Sequence, residues 1–80
     1  MEMNMQLITS SMDYFLGTNF EKDLNADLFR NIGIDSLKFA ELIAHLEDEL
    51  GVRIDFACLT DWEEIKTLNG LAKFVLNHYE

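Results

Sequence analysis

The sequence predicts an all-α protein: a small four-helix bundle with a long loop between helices one and two and a short third helix. Three observations predict it. Apolar residues recur at three- and four-residue steps over most of the chain. No proline interrupts those runs. Glycines stand where two of them stop, at Gly17 and Gly51. Residues 1–80 read as a single domain, because eighty residues support one small core and no more. With 49% hydrophobic and 11% aromatic residues the chain is globular rather than disordered. A core this small is marginal, so nearly every apolar side chain is committed to it. Little protein is left to wall a deep, water-excluding catalytic cleft, which argues against an enzyme.

In the first helix Met5, Ile8, Met12 and Phe15 form the stripe, with Leu16 beside them and Gly17 as the stop. Met3, Leu7 and Tyr14 fall on the other side. They face the following loop, the preferred reading, or form a minor partner surface. Residues 17–33, "GTNFEKDLNADLFRNIG", have no sustained period, and so long a connection needs a reason. Phe20, Leu24, Leu28, Phe29 and Ile32 are spaced as anchors that pin it across the bundle, and Asn25 is a candidate cap for a short turn through Leu28 and Phe29. The second helix begins near Ser36. At about 100° per residue, Phe39, Leu42, Ile43, Leu46 and Leu50 make its core stripe, and Gly51 ends it. Val52 and Ile54 then turn the chain inward. Thr60-Asp61-Trp62-Glu63 has the form of a capping box opening the short third helix. The fourth helix carries Leu68, Leu71, Ala72, Val75 and Tyr79 on one face.

The net charge of −9 repels nucleic acid and anionic membranes. It suits basic protein partners and fast, salt-sensitive association. Six acidic residues oppose three basic ones in the first forty positions, and nine oppose three in the second forty, so the acid concentrates late. One cysteine, Cys58, cannot close an internal disulfide, which suits a reducing compartment. No apolar run is long enough for a membrane span, and "MEMNMQLITSSM" has neither the basic region of a secretory signal nor the arginines of a transit peptide. A cytoplasmic monomer is expected.

Helix two carries a second pattern. Leu37, Glu41, Ala44 and Asp48 share the face opposite its core stripe, a small apolar strip bordered by carboxylates that starts beside Ser36. Lys38, His45 and Glu49 lie on one flank and Glu47 on the other. Asp35 and Ser36 are both good helix-start residues, and capping is their commonest role. If Asp35 is the cap, Ser36 takes the first helical position with its hydroxyl outward, at the helix end that best accommodates a phosphate.

The run "LFRNIGIDSLKFAELIAHLEDELGVRI" closely resembles the acyl and peptidyl carrier proteins, and the likeness covers the four-helix pattern over nearly the whole chain. Gly33-Ile34-Asp35-Ser36-Leu37 carries it, with Glu41, Leu42, Leu46, Glu47 and the glycine after Leu50. The resemblance implies the acyl-carrier type of bundle. It implies that Ser36 receives 4′-phosphopantetheine from coenzyme A, and that the thiol of that group bears acyl or aminoacyl cargo as a thioester. Asp35 would help a phosphopantetheinyl transferase place its metal ion and phosphate. Leu37 would be the apolar contact for partner enzymes, with Glu41, Ala44, Glu47 and Asp48 along the docking strip. The partners implied are that transferase, an acyl- or aminoacyl-loading enzyme, and downstream synthase or transferase enzymes with basic patches.

Other candidates are weaker. His45 and His78 have no second ligand at metal-binding spacing, and His45 is placed to pair with Glu41 and Glu49. Cys58 has no base partner. Trp62 is expected to pack in the core or loop; the alternative is that it and Phe56 shape a partner or cargo surface. Lys38, Arg53, the absence of proline after helix two and the long "DFACLTDWEEIKT" segment depart from the housekeeping fatty-acid carrier pattern. They favour a free-standing carrier of a specialised pathway, polyketide or nonribosomal-peptide in type, over primary fatty-acid synthesis. A reading of another class is an unmodified acidic interaction module, for which a hydroxyl at Ser36 has no use.

Overall fold

The computed structural model describes residues 3–17 and 25–80. Among these the chain forms three α-helices, α1 (Met5–Leu16), α2 (Ser36–Leu50) and α3 (Leu68–Asn77), with two 3₁₀ turns, Phe56–Cys58 and Trp62–Ile65, between α2 and α3. The expected short third helix is thus the second of two 3₁₀ turns, four residues long, rather than an α-helix. Helix α1 packs against both α2 and α3. No helix is long and apolar enough to cross a membrane among the described residues.

Each helix has its own stop and start. Asn4 caps α1 by accepting from the Leu7 amide at 2.9 Å, and Gly17 closes it in the left-handed region at φ 68°. Ile8, Ser11 and Met12 are the buried residues of α1, while Met5 and Phe15 are only half-buried. The buried stripe is therefore centred one position round from the apolar pattern, on a serine. Ser11 is tolerated there because its Oγ shares a hydrogen bond with Nε2 of His45, at 3.2 Å. Helix α2 buries Phe39, Leu42 and Leu46, with Ile43 and Leu50 at the margins, as its period requires. Helix α3 buries Leu68, Leu71, Ala72 and Val75, and also Phe74, which the expected face lacked. Tyr79 does not continue that face. The helix ends at Asn77, and the chain after it pairs with the segment following α2. Arg53 and Glu80 exchange backbone hydrogen bonds at 3.0 and 2.7 Å, and the Asp55 amide donates to the His78 carbonyl at 2.9 Å. Tyr79 is left 42% exposed.

The connection into α2 is pinned, as its apolar anchors require. Leu28 is fully buried, and Phe29 and Ile32 pack against the core; Phe20 and Leu24 lie outside the described residues. The Leu28 amide donates to the Lys66 carbonyl at 2.7 Å, and the Leu68 amide donates to the Ala26 carbonyl at 3.3 Å. These bonds tie the loop to the start of α3. Asp27 organises the turn through Leu28 and Phe29: one of its oxygens accepts from the amides of Phe29 and Arg30, at 2.8 and 2.9 Å.

Asp27 gives the fold an acid-sensitive point. The Arg30 amide lowers its carboxyl most; burial comes next and opposes it, and the Phe29 amide with the charges of Arg30 and Lys66 adds to the lowering, so the carboxyl lies below the ordinary carboxylate value. A carboxyl whose folded pKa is depressed stabilises the fold above its unfolded value and loses that contribution as pH falls through the folded value. Asp27→Asn is therefore expected to melt below the parent at neutral pH and to converge with it as the solution is acidified below the unfolded pKa of 3.8. Thermal melts across that range check it.

Candidate functional site

The site is assembled at the start of α2. Gly33 takes φ 82°, a turn conformation that other residues strain to adopt, and the Ile34 amide returns to the Leu28 carbonyl at 3.1 Å. The chain thus enters α2 from the pinned loop. Asp35 is the N-cap: its backbone is extended, and its side chain accepts from the Lys38 amide at 2.8 Å. Ser36 follows as the first helical residue, and it is exposed. The capping role of Asp35 and the exposure of Ser36 occur together. Asp35 satisfies one free amide of the first turn, and Ser36 lies at the positive end of the helix.

The strip beyond it is where the wheel places it. Leu37 is 69% exposed, and Glu41, Ala44 and Asp48 are exposed in line with it along α2. Two flanking residues differ from expectation. Glu47 is half-buried, and its Oε2 accepts from the Ile54 amide at 3.0 Å, so it is committed within the fold rather than standing clear beside Asp48. His45 is not a surface partner of Glu41 and Glu49. Its ring lies against Tyr14 and Phe15, at centroid separations of 6.1 and 4.9 Å, while Nε2 meets Ser11. Aromatic neighbours on α1 outcompete two solvated carboxylates for an imidazole body. Lys38 is drawn the same way, with Nζ 4.5 Å from the centroid of the Phe15 ring. Its charge is held on the α1 side, so the exposed strip of Glu41 and Asp48 stays acidic.

Beside the core stripe of α2 lies an apolar cavity of about 290 Å³ lined by Phe39, Ala40, Ile43, Phe56 and Trp62. Trp62 is not buried, as core packing would require. It meets Phe39 edge-on at 6.2 Å and is otherwise 60% exposed. The far wall is braced from behind, since Phe56 stacks on Phe74 at 5.4 Å. Sequence reasoning missed Ala40 and Ile43 as lining residues. Ile43 sits at the edge of the core stripe and so serves both surfaces. Cys58 is exposed in the first 3₁₀ turn, and no group of His, Cys, Asp and Glu side chains that could hold a metal occurs among the described residues.

The described residues form a small helical domain with an exposed serine at a capped helix start, next to an acidic, solvent-facing strip. The comparisons with known proteins give the family. The family described as "Phosphopantetheine attachment site" matches residues 15–75, most of the chain and all of α2. A curated protein named "Acyl carrier protein", from Saccharopolyspora erythraea, is 38% identical over 52 residues. That match covers 65% of this chain and 52% of the relative, so it spans about half the relative's length. The chain belongs to the phosphopantetheine-binding carrier family, a family of carriers rather than enzymes whose prosthetic group is 4′-phosphopantetheine.

Proposed function

We propose that this chain is an acyl or aminoacyl carrier with Ser36 as its attachment residue. The observation that carries the reading is Ser36 itself, exposed at the first position of α2 with Asp35 already holding the Lys38 amide. Modification forms a bond from Ser36 Oγ to phosphorus and breaks the pyrophosphate of coenzyme A, releasing adenosine 3′,5′-bisphosphate. A base of the transferase takes the proton released from Ser36 Oγ. When bound, the group supplies a thiol that carries cargo as a thioester. This chain's own contributions are presentation and recognition: Gly33 sets the turn, Asp35 fixes the helix start and helps the transferase place its metal ion, and Leu37 with Glu41, Ala44 and Asp48 meets a basic partner. The cavity between Phe39 and Trp62 offers an apolar surface beside α2 on which cargo can rest.

The partners are a phosphopantetheinyl transferase, a loading enzyme and the synthases or transferases that take the cargo on. A specialised pathway of polyketide or nonribosomal-peptide type, with a cytoplasmic monomer as carrier, is the finer reading. It is supported by Lys38, Arg53 and the tryptophan-bearing segment. The test is intact mass after incubation with coenzyme A, magnesium and a broad-specificity transferase. Addition of one phosphopantetheine is expected, and a folded sample that gains nothing beside a working control carrier would sink the reading. In the same assay Leu37→Ala, Glu41→Lys and Asp48→Lys are expected to lower kcat/KM for the transferase by about tenfold each, the two charge reversals mainly through encounter and with strong salt dependence, and Leu37→Ala through a lost apolar contact with little dependence on salt. Because these side chains face solvent, stability should change by no more than about 0.5 kcal/mol. A large fall in Tm for any of them would show that the strip belongs to the core.

A further inference from the structure

The seam between α1 and α2 carries a surface that the docking strip does not use. Leu7, Ser10, Ser11 and Tyr14 of α1 and Glu49 and Leu50 of α2 line a groove of about 280 Å³. Its walls are set from within the fold. Ser11 is buried, and its Oγ shares the 3.2 Å hydrogen bond with His45 that ties the two helices together. Tyr14 stacks on the same imidazole at 6.1 Å, with the rings 19° apart. The stack orients the phenol, yet Tyr14 is 82% exposed, the most exposed large hydrophobic residue among the described residues. Leu7 and Leu50 are half-buried and give the groove apolar surface, with the carboxylate of Glu49 beside them. The charge here has one sign. Glu49 is exposed and forms no ion pair among the described residues, and neither α1 nor the last turn of α2 holds a basic residue. Lys38, the one lysine of α2, stands over Phe15 about three turns away.

We propose that this groove is a second docking site, for a basic amphipathic helix of a protein partner, and that it holds the carrier while Ser36 stays free for another enzyme. Charge fixes the occupant. The chain carries a net −9 and no basic side chain lines the groove, so a second copy would bring like charges together. A cationic helix is drawn in by the same field. A leucine-like side chain of the partner packs against Leu7 and Leu50. A lysine or arginine one turn away reaches the Glu49 carboxylate with its stem along the Tyr14 ring. Lys38 sets the direction, because its charge repels the basic end of the partner from the Phe15 end of the seam. Ser36 and Glu49 stand near opposite ends of a 15-residue helix, about 20 Å apart, which leaves room for two proteins on α2 at once. The groove does not depend on modification of Ser36; only its use as a tether rests on the carrier reading.

The probe is a synthetic amphipathic helix of leucine and lysine, titrated into the whole chain and followed by amide chemical shifts and calorimetry. Saturable shifts at Leu7, Ser10, Tyr14 and Leu50 are expected, with Leu37 and Glu41 unmoved. A peptide of equal charge with its leucines changed to glutamine should bind about tenfold more weakly or worse. Glu49→Lys and Tyr14→Ser, both at exposed positions, should each weaken binding about tenfold. Glu41→Lys changes the net charge as Glu49→Lys does, but should stay within about twofold of the parent. Mass gain from coenzyme A and a transferase should keep its rate, within about twofold, when the peptide is saturating. Equal binding of the leucine-free peptide, or equal losses from Glu41→Lys and Glu49→Lys, would mean that net charge alone attracts the probe, and overturns the site. Shifts centred on Leu37 and Glu41, or no saturable binding, also overturn it. A dimer of the free chain that moves the amides of Leu7 and Leu50 would make a second copy the occupant and overturn the partner. Mass gain lost in step with peptide binding overturns the tether, whereas no mass gain even without peptide counts against the carrier reading alone. If Tyr14→Ser does not fold, Glu49→Lys against Glu41→Lys decides.

Discussion

Ser36→Ala is expected to abolish every gain of mass on incubation with coenzyme A, magnesium and a transferase, while stability stays within about 0.5 kcal/mol of the parent. The two halves of that result come from different parts of the structure. The cap of α2 is Asp35, whose bond to the Lys38 amide does not involve the serine, and Ser36 is exposed, so its hydroxyl fills no space in the core. Alanine is also a better helix former than serine. The loss of modification, by contrast, is not offset by the neighbouring hydroxyls that are engaged within the fold. Ser11 is buried against His45, Thr9 donates to the Met5 carbonyl at 3.0 Å, and Thr67 accepts from the Gly70 amide at 3.0 Å. Mass gained by the variant would have to sit on an exposed hydroxyl such as Ser10 or Thr60, and the assignment of Ser36 would fall.

The parts of this fold that were legible in the sequence are those fixed by local period and local backbone chemistry. Helix α2 is the clearest case. Its core stripe, its exposed strip, its serine at the first turn and its left-handed Gly51 all follow from spacing and from glycine's freedom at φ 66°. What the spacing could not carry was competition between distant groups. His45 has two carboxylates one turn away on its own helix, yet its position is decided by Ser11, Tyr14 and Phe15 on α1, thirty or more residues earlier. Glu47 has the same spacing as a docking carboxylate, and the structure commits it to Ile54, seven residues on, because the chain doubles back after Gly51. Tyr79 continues the period of α3 after the helix has ended, since backbone pairing with residues 53–55 is available to that end of the chain. The apolar cavity was missed for a similar reason: Phe39 and Trp62 are 23 positions apart and meet only because two 3₁₀ turns replace a regular third helix.

Gly70→Ala is expected to be the most damaging single-methyl change, lowering stability by about 2–4 kcal/mol. On helix propensity alone the substitution should help by about 1 kcal/mol, because Gly70 lies within α3. Packing reverses the sign. A Cβ there would stand 2.1 Å from the Glu64 carbonyl oxygen and 3.0 Å from Thr67 Oγ1. The first of these is main chain in the second 3₁₀ turn, which cannot rotate away like a side chain. Either α3 withdraws from Ile65, a fully buried member of the core, or the turn shifts and carries Trp62 with it. For an 80-residue domain each kcal/mol lost corresponds to about 4–8 °C in Tm, so a thermal melt resolves the effect easily. Gly51 is the informative control. It has open space where a Cβ would go but a left-handed backbone, so Gly51→Asn should cost less than Gly70→Ala, asparagine tolerating that conformation better than most residues. If Gly70→Ala were instead neutral, the turn bearing Trp62 would have to move freely against α3, and the cavity beside Phe39 would have no fixed wall on that side.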